Sequence, residues 1–219
     1  MPVRKIPKNY RNVTGVAAHR KAEGAASFES TLERDFIALL EFDPAVERFE
    51  VQPITLDWSD DQGRARSYTP DAIATFKLHG QPRRTVLYEV KYRSDLHANW
   101  PDLRQKFKAS IRYARQQGWR FKIVTEVEIR TPYLDNATFL LPFMRRGPSE
   151  EAHMALLTDR LAEMMHRTTP ADLLAACYQD EWHRAALIPT LWYLVGTRQI
   201  GTDLDEKLTM ASPIWSLPV

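Results

Sequence analysis

Cysteine is almost absent from this chain: one residue, Cys177, in 219. That excludes an internal disulfide framework and any Cys-rich zinc module, and it suits a reducing compartment, so a cytoplasmic protein is expected. Long apolar runs are missing as well. None approaches the ~18–20 residues that span a bilayer, so no membrane association is expected. The opening MPVRKIPKNYRN is basic and lacks the apolar stretch of a secretory signal, so none is expected. Charge of one sign is also missing, since 30 Lys and Arg face 28 Asp and Glu, a formal net charge of +2. Such a balance does not announce nucleic acid by itself. The six histidines (His19, His79, His97, His153, His166 and His183) fall at no ligand-like spacing, and only His97 lies near the acidic motif described below. There is no internal repeat and no low-complexity tract.

What is present is the composition of a globular protein, with 44% hydrophobic and 26% charged residues. The length suits one domain, or a domain with a small appendage. Residues 1–27 form a basic arm, with Arg4, Lys5, Lys8, Arg11, Arg20 and Lys21 against a single acid, Glu23. Such an arm can wrap on phosphates or serve as a merely soluble terminus, and charge alone leaves both readings open.

Hydrophobic periodicity organises the rest. Leu32, Phe36, Leu39 and Leu40 recur at helical spacing, and Pro44 stops the pattern. VERFEVQPITLDW predicts one or two strands, SDDQGRAR a turn, SYTPDAIATFKL a strand entered through a proline, and Thr85–Tyr92 a further strand. SDLHANWP predicts a loop leading to a helix over Asp102–Gln117, with Pro101 in its first turn and Gly118 past its end. WRFKIVTEVEI predicts another strand. The pattern loosens over Pro132–Pro148. Beyond it come a helix marked by Met154, Leu157, Leu161 and Met164, another opened by Thr169-Pro170, a third over Asp180–Val195, and a tail resembling a hairpin. The expected division is an arm (1–27), a mixed α/β domain (28–145) and a small helical, winged-helix-like domain (146–219).

One strand carries charge where burial is expected. In TVLYEVKYRS, side chains two apart leave the same face, so Leu87, Glu89 and Lys91 share one side and Val86, Tyr88 and Val90 the other. Upstream, Pro70 pushes Thr69 into an extended conformation at the start of a strand and Asp71 follows. If the two strands are antiparallel neighbours, Asp71 lies beside Glu89. Converging carboxylates suit Mg²⁺, and a lysine on the same face can orient an attacking water or neutralise a phosphate, the parts that phosphodiester hydrolysis needs. The plain alternative is an exposed salt bridge worth ~0–1 kcal/mol. Ser30-Thr31-Leu32-Glu33 likewise reads as a capping box, although Glu33 borders the buried helix face. Lys106, Lys108, Arg112 and Arg115 decorate the helix after Lys91, as a solvated face or a DNA-facing row. Trp182 and Trp192 read as core or partner anchors.

The order of these motifs resembles a known family. FESTLERDFIALLEFDPAVERFEVQPITL, then YTPDAIATF, then LYEVKY is similar to the N-terminal catalytic domain of the TnsA-type transposon endonucleases. Ser30-x-x-Glu33, Gln52-Pro53, Asp71 and Glu89-Val90-Lys91 stand in that family's order, over residues 28 to about 130. The resemblance implies a restriction-endonuclease-like fold, a mixed sheet flanked by helices. It implies that Glu33, Asp71 and Glu89 bind Mg²⁺ (with Mn²⁺ as substitute) and that Lys91 assists the hydrolytic water, so Glu33 is more than a cap. Some members carry Gln at the Glu89 position. The implied activity is hydrolysis of the 5′ strands of double-stranded DNA at transposon ends. The implied partners are a recombinase subunit and an AAA+ regulator, the latter engaged through the C-terminal segment. Arg4, Lys5, Lys8, Arg11, Arg93 and Lys106 are the expected DNA contacts. A stand-alone restriction or repair nuclease, and a non-catalytic DNA- or protein-binding module, are the other functions this fold admits.

Overall fold

The computed structural model describes residues 15–17, 20–60, 62–77, 79–148, 150–164 and 167–217. Arg4, Lys5, Lys8 and Arg11 of the arm lie outside them, as do His19 and His166. The chain forms two compact units, one reaching Arg130 and the other running from Thr131.

The first unit opens with a short antiparallel pair, β1 (Gly15–Ala17) and β2 (Ala26–Phe28). Residues from 20 onward, expected in the arm, are tied down: the Arg20 and Lys21 amides donate to the Glu41 carboxylate at 3.0 and 3.2 Å, and the Lys21 ammonium to the Asp43 carbonyl at 2.6 Å. Helix α1 (Thr31–Phe42) starts at Ser30, whose hydroxyl accepts from the Glu33 amide, and buries Leu32, Phe36, Ile37 and Leu40. Strands β3 (Val46–Val51), β6 (Ala72–Phe76) and β7 (Arg84–Val90) pair antiparallel in that order. Strand β8 (Arg120–Val124) completes the sheet parallel to β7. Parallel neighbours need a crossover, and α2 (Arg93–Gln116) supplies it. A separate hairpin, β4 (Leu56–Ser59) with β5 (Ala65–Tyr68), packs on α2. Phe36 of α1 meets Tyr88 on one face of β7, and Phe107 of α2 meets Phe121 of β8 on the other, so helices cover both faces of the sheet. This is the mixed, helix-flanked α/β architecture expected.

Three local expectations are corrected. The predicted loop SDLHANWP is the first part of α2, which kinks at Asn99, ahead of Pro101, where the backbone leaves helical geometry. The predicted strand WRFKIVTEVEI ends at Val124. Thr125 then caps a helical turn, α3 (Glu126–Ile129), in a full capping box with Glu128. The loosened stretch after Pro132 is a helix, α4 (Pro132–Arg146), with a proline at its start.

The second unit therefore begins with α4, which packs on α7 (Glu181–Gly196), rather than near residue 146. With α5 (Glu151–Glu163) and α6 (Pro170–Cys177), these helices bury Leu140, Leu157, Leu173, Leu187 and Leu191. The tail is more than a hairpin: β9 (Arg167–Thr168), β10 (Ile200–Thr202) and β11 (Ile214–Ser216) form a three-stranded antiparallel sheet in the order β10-β11-β9. Asn136 pins the loop between β10 and β11, donating to the Leu204 and Glu206 carbonyls at 2.8 Å and accepting from the Leu208 amide. Trp192 is core, while Trp182 is 84% exposed. The Thr169 hydroxyl accepts from the Asp172 amide at 3.1 Å to start α6. We expect Thr169→Ala to cost about 1 kcal/mol, read as a fall of about 2–4 °C in Tm. No helix among the described residues is long and apolar enough to cross a membrane.

Candidate active site

The acids meet where β6 begins and β7 ends. The antiparallel register sets Ala72 opposite Tyr88, which brings Asp71 alongside Glu89. The Asp71 backbone is held from both sides: its amide donates to the Tyr88 carbonyl at 3.1 Å, and its carbonyl accepts from the Gln52 amide at 2.9 Å. Its carboxylate accepts from the Val90 amide at 2.6 Å. Lys91 lies one residue beyond β7, with its amide on the Val124 carbonyl at 3.1 Å. The main chain of every member of the motif is thus anchored.

Glu89 is not the solvent-facing half of a surface salt bridge. Its side chain is 1% exposed, and three donors surround it. The Tyr68 hydroxyl donates to Oε2, Lys106 Nζ lies 2.9 Å from Oε1, and Lys91 Nζ lies 3.4 Å from the same oxygen. Lys106 also sits over the Tyr68 ring, 4.5 Å from its centre. Burial, then the charges of Glu89 and Asp71, raise the Tyr68 pKa, so its hydroxyl stays a donor.

Lys91 is the hub. Its ammonium lies 3.1 Å from the Val90 carbonyl, 3.4 Å from Glu89 and 3.8 Å from Asp71, and it is 28% exposed. Burial works against its charge, but Asp71, Glu89 and Glu33 outweigh that and raise its pKa. Asp71 is driven the other way. Burial first and the Glu89 charge second push its pKa well above the ordinary carboxylate range, against the pull of Lys91. Glu33 is also raised, by burial, although the Glu29 amide donates to it at 2.8 Å and the Ser30 hydroxyl at 3.0 Å. Glu33 is therefore both a cap residue and a charge felt by Lys91 and Asp71. Its capping box differs from the usual one in that the carboxylate reaches the Glu29 amide.

Among the described residues no three His, Cys, Asp or Glu side chains are already gathered at metal-ligand spacing. The donor set nonetheless fits a hard cation. Two carboxylates and a main-chain carbonyl converge on one positive charge, the Lys91 ammonium, at a strand end where Asp71 carries a repulsive load.

Two members of the site go beyond the sequence motifs. Tyr68 opens the YTPDAIATF segment but carries no task there, and Lys106, expected in a DNA-facing row, turns inward, because it shares the buried helix face with Phe107 and Ser110. A helical wheel drawn from those neighbours finds it; Tyr68 depends on the fold of the hairpin and has no local signal. Gln52 is buried and sits at φ 50°, and its amide donates to Glu29 Oε1 at 3.3 Å, while its own Oε1 meets no donor among the described residues. Arg93 opens α2 and lines a cavity of about 480 Å³ with Leu96, His97 and Trp100.

A four-stranded mixed sheet with helices on both faces, carrying Asp and Glu-x-Lys at the ends of paired strands, defines a restriction-endonuclease-like protein. Residues 43–126 match the family described as TnsA-like endonuclease N terminal, and residues 128–204 match TnsA endonuclease C terminal. The chain belongs to the TnsA-type transposon endonucleases. Asp71, Glu89 and Lys91 fall inside the first match and Glu33 lies before its start. No curated protein matches the chain.

Proposed function

We propose that this chain is the Mg²⁺-dependent endonuclease subunit of a transposase, cytoplasmic, hydrolysing the 5′ strands at transposon ends beside a recombinase subunit and an AAA+ regulator. The observation that carries the reading is the meeting of Asp71, Glu89 and Lys91 at one strand end within the matched region. Asp71, Glu89 and Glu33, with the Val90 carbonyl, are the oxygens that would hold the ion. A bound Mg²⁺ polarises a phosphoryl oxygen and makes water a better nucleophile.

The chain's own groups have separable tasks. Lys91, kept protonated by three acids, presents positive charge to a phosphodiester at the mouth of the site. Tyr68 and Lys106 each donate to one oxygen of Glu89 and leave it lone pairs for an ion, so the strand end that bears Lys91 is fixed before DNA arrives. The second unit is assigned to docking of the regulator. Its last helix is largely apolar, Arg198 is engaged with Tyr133 at 3.0 Å, and Trp182 offers an exposed aromatic of the sort enriched at protein interfaces.

The test is strand cleavage of duplexes that carry a transposon end, with the recombinase subunit and Mg²⁺ supplied. A nick on the 5′ strand that falls ~10²-fold or more in Glu33→Gln is expected, the scale of losing one charge-stabilising group. A chain inert with Mg²⁺ and Mn²⁺ in the presence of both partners would overturn the proposal.

A further inference from the structure

Helix α2 has a second polar face, away from Glu89. Lys108, Arg112 and Arg115 recur at intervals of four and three residues, so they form one stripe. All three are exposed, and among the described residues none has an acidic partner. With Ile111 they form one wall of a groove of about 400 Å³, and Trp58 of the β4–β5 hairpin contributes to the other. The indole N–H of Trp58 is closed off from solvent and meets no acceptor among the described residues. Leaving such a donor unmade is unfavourable. Arg66, opposite Trp58 in the hairpin, does not add to the free charge, because its guanidinium is tied to Asp60 at 3.2 Å. The groove therefore holds three uncommitted cations and one unsatisfied donor, all suited to anionic oxygens.

We propose that this groove carries the sugar-phosphate backbone of the DNA that flanks the cleaved phosphodiester. The inference rests on the nuclease reading for the identity of the polymer. Position on α2 selects a backbone over a single anion. Lys106 touches Glu89 at the site, and the stripe begins two residues later. At 1.5 Å per residue it extends from about 3 to about 14 Å beyond Lys106 along the helix axis. Duplex DNA places one phosphate charge per ~1.7 Å of its axis, so a backbone that passes from the site round α2 onto this second face meets each of the three cations. Arginine forks hold phosphate oxygens in pairs, and two of the three are arginines.

The experiment is anisotropy of a labelled blunt duplex titrated with the full chain across a range of NaCl concentrations. The comparison is with a variant carrying Lys108→Ala, Arg112→Ala and Arg115→Ala together. The slope of log affinity against log salt is expected to fall by ~2.7, about 0.9 for each phosphate that the variant leaves unneutralised. Between about 50 and 200 mM salt the variant's affinity then drops about 40-fold less than the wild type's. Removing three exposed cations of the other unit, Arg146, Arg167 and Lys207, is expected to leave the slope in place. Trp58→Phe, which keeps the ring and loses the N–H, is expected to weaken binding ~10-fold without changing the slope. An unchanged slope in the stripe variant overturns the proposal, as does an equal loss in the control, and as does a wild-type chain that binds no duplex at low salt. Cleavage is scored separately. A wild-type chain that cleaves while the slope is unmoved sinks the groove alone, and a lowered slope without cleavage under any condition keeps the groove and sinks the nuclease reading.

Discussion

Asp71→Asn is expected to abolish strand cleavage, by ~10³-fold or more, and at the same time to stabilise the folded chain when no divalent cation is present. The two effects share one cause. Burial and the adjacent Glu89 charge hold the Asp71 pKa well above its usual 3.8. An acid raised in this way contributes stability that is fully present below the unfolded pKa and is lost as pH rises through the folded pKa. Above that window the ionised carboxylate is a net cost to the fold. Asparagine keeps an oxygen for the Val90 amide, which now lies 2.6 Å from the carboxylate, and removes the charge. Thermal denaturation in chelator at neutral pH should show a higher Tm for the variant, with each kcal/mol worth about 2–4 °C in a chain of this size. The two proteins should converge as pH falls toward 3.8. A variant that melts lower at neutral pH would refute the repulsive load, and one that still cleaves would refute the site.

The second large effect is expected at Lys106. Lys106→Met leaves Glu89 buried and short of its closest ammonium, with only Tyr68 and the more distant Lys91 to meet it. Breaking a buried pair from one side costs about 3–5 kcal/mol, and the remaining donors reduce that here to ~2–4 kcal/mol. Adding Glu89→Gln should recover most of the loss, since a neutral amide still accepts from the Tyr68 hydroxyl. Urea unfolding of the four proteins closes the cycle, and a coupling energy near zero would show that Lys106 and Glu89 act independently.

The parts of this molecule readable from sequence are those with a local signature. Alternation places Glu89 and Lys91 together on one face, and Pro70 marks the strand start that puts Asp71 beside them. The same local rules misread other stretches where two signals collide. Thr125 and Glu128 share the sequence spacing of Ser30 and Glu33, but the apolar alternation before them extends the strand reading through it. Thr131-Pro132 puts a proline at the start of a helix as Thr169-Pro170 does, although only Thr169 caps with its side chain, and Pro142 and Pro148 break the periodicity that would show it. The kink at Asn99 hides the first turns of α2 in the same way. The environment of Glu89 is beyond any local rule. Its two nearest donors come from a hairpin and a helix, 21 residues before it and 17 after it.

Gln52 has a left-handed backbone, the conformation that glycine adopts without penalty and other residues adopt at a cost of roughly 1–3 kcal/mol. It keeps a side chain there whose amide reaches Glu29, the residue whose backbone amide donates to Glu33. A screen for thermostable variants will be drawn to glycine at this position, because it relieves the backbone. A screen for active variants will reject it, because the same change removes the link behind Glu33. Residue 52 is thus where selection for durability and selection for turnover pull apart, and libraries built for one should hold it fixed for the other.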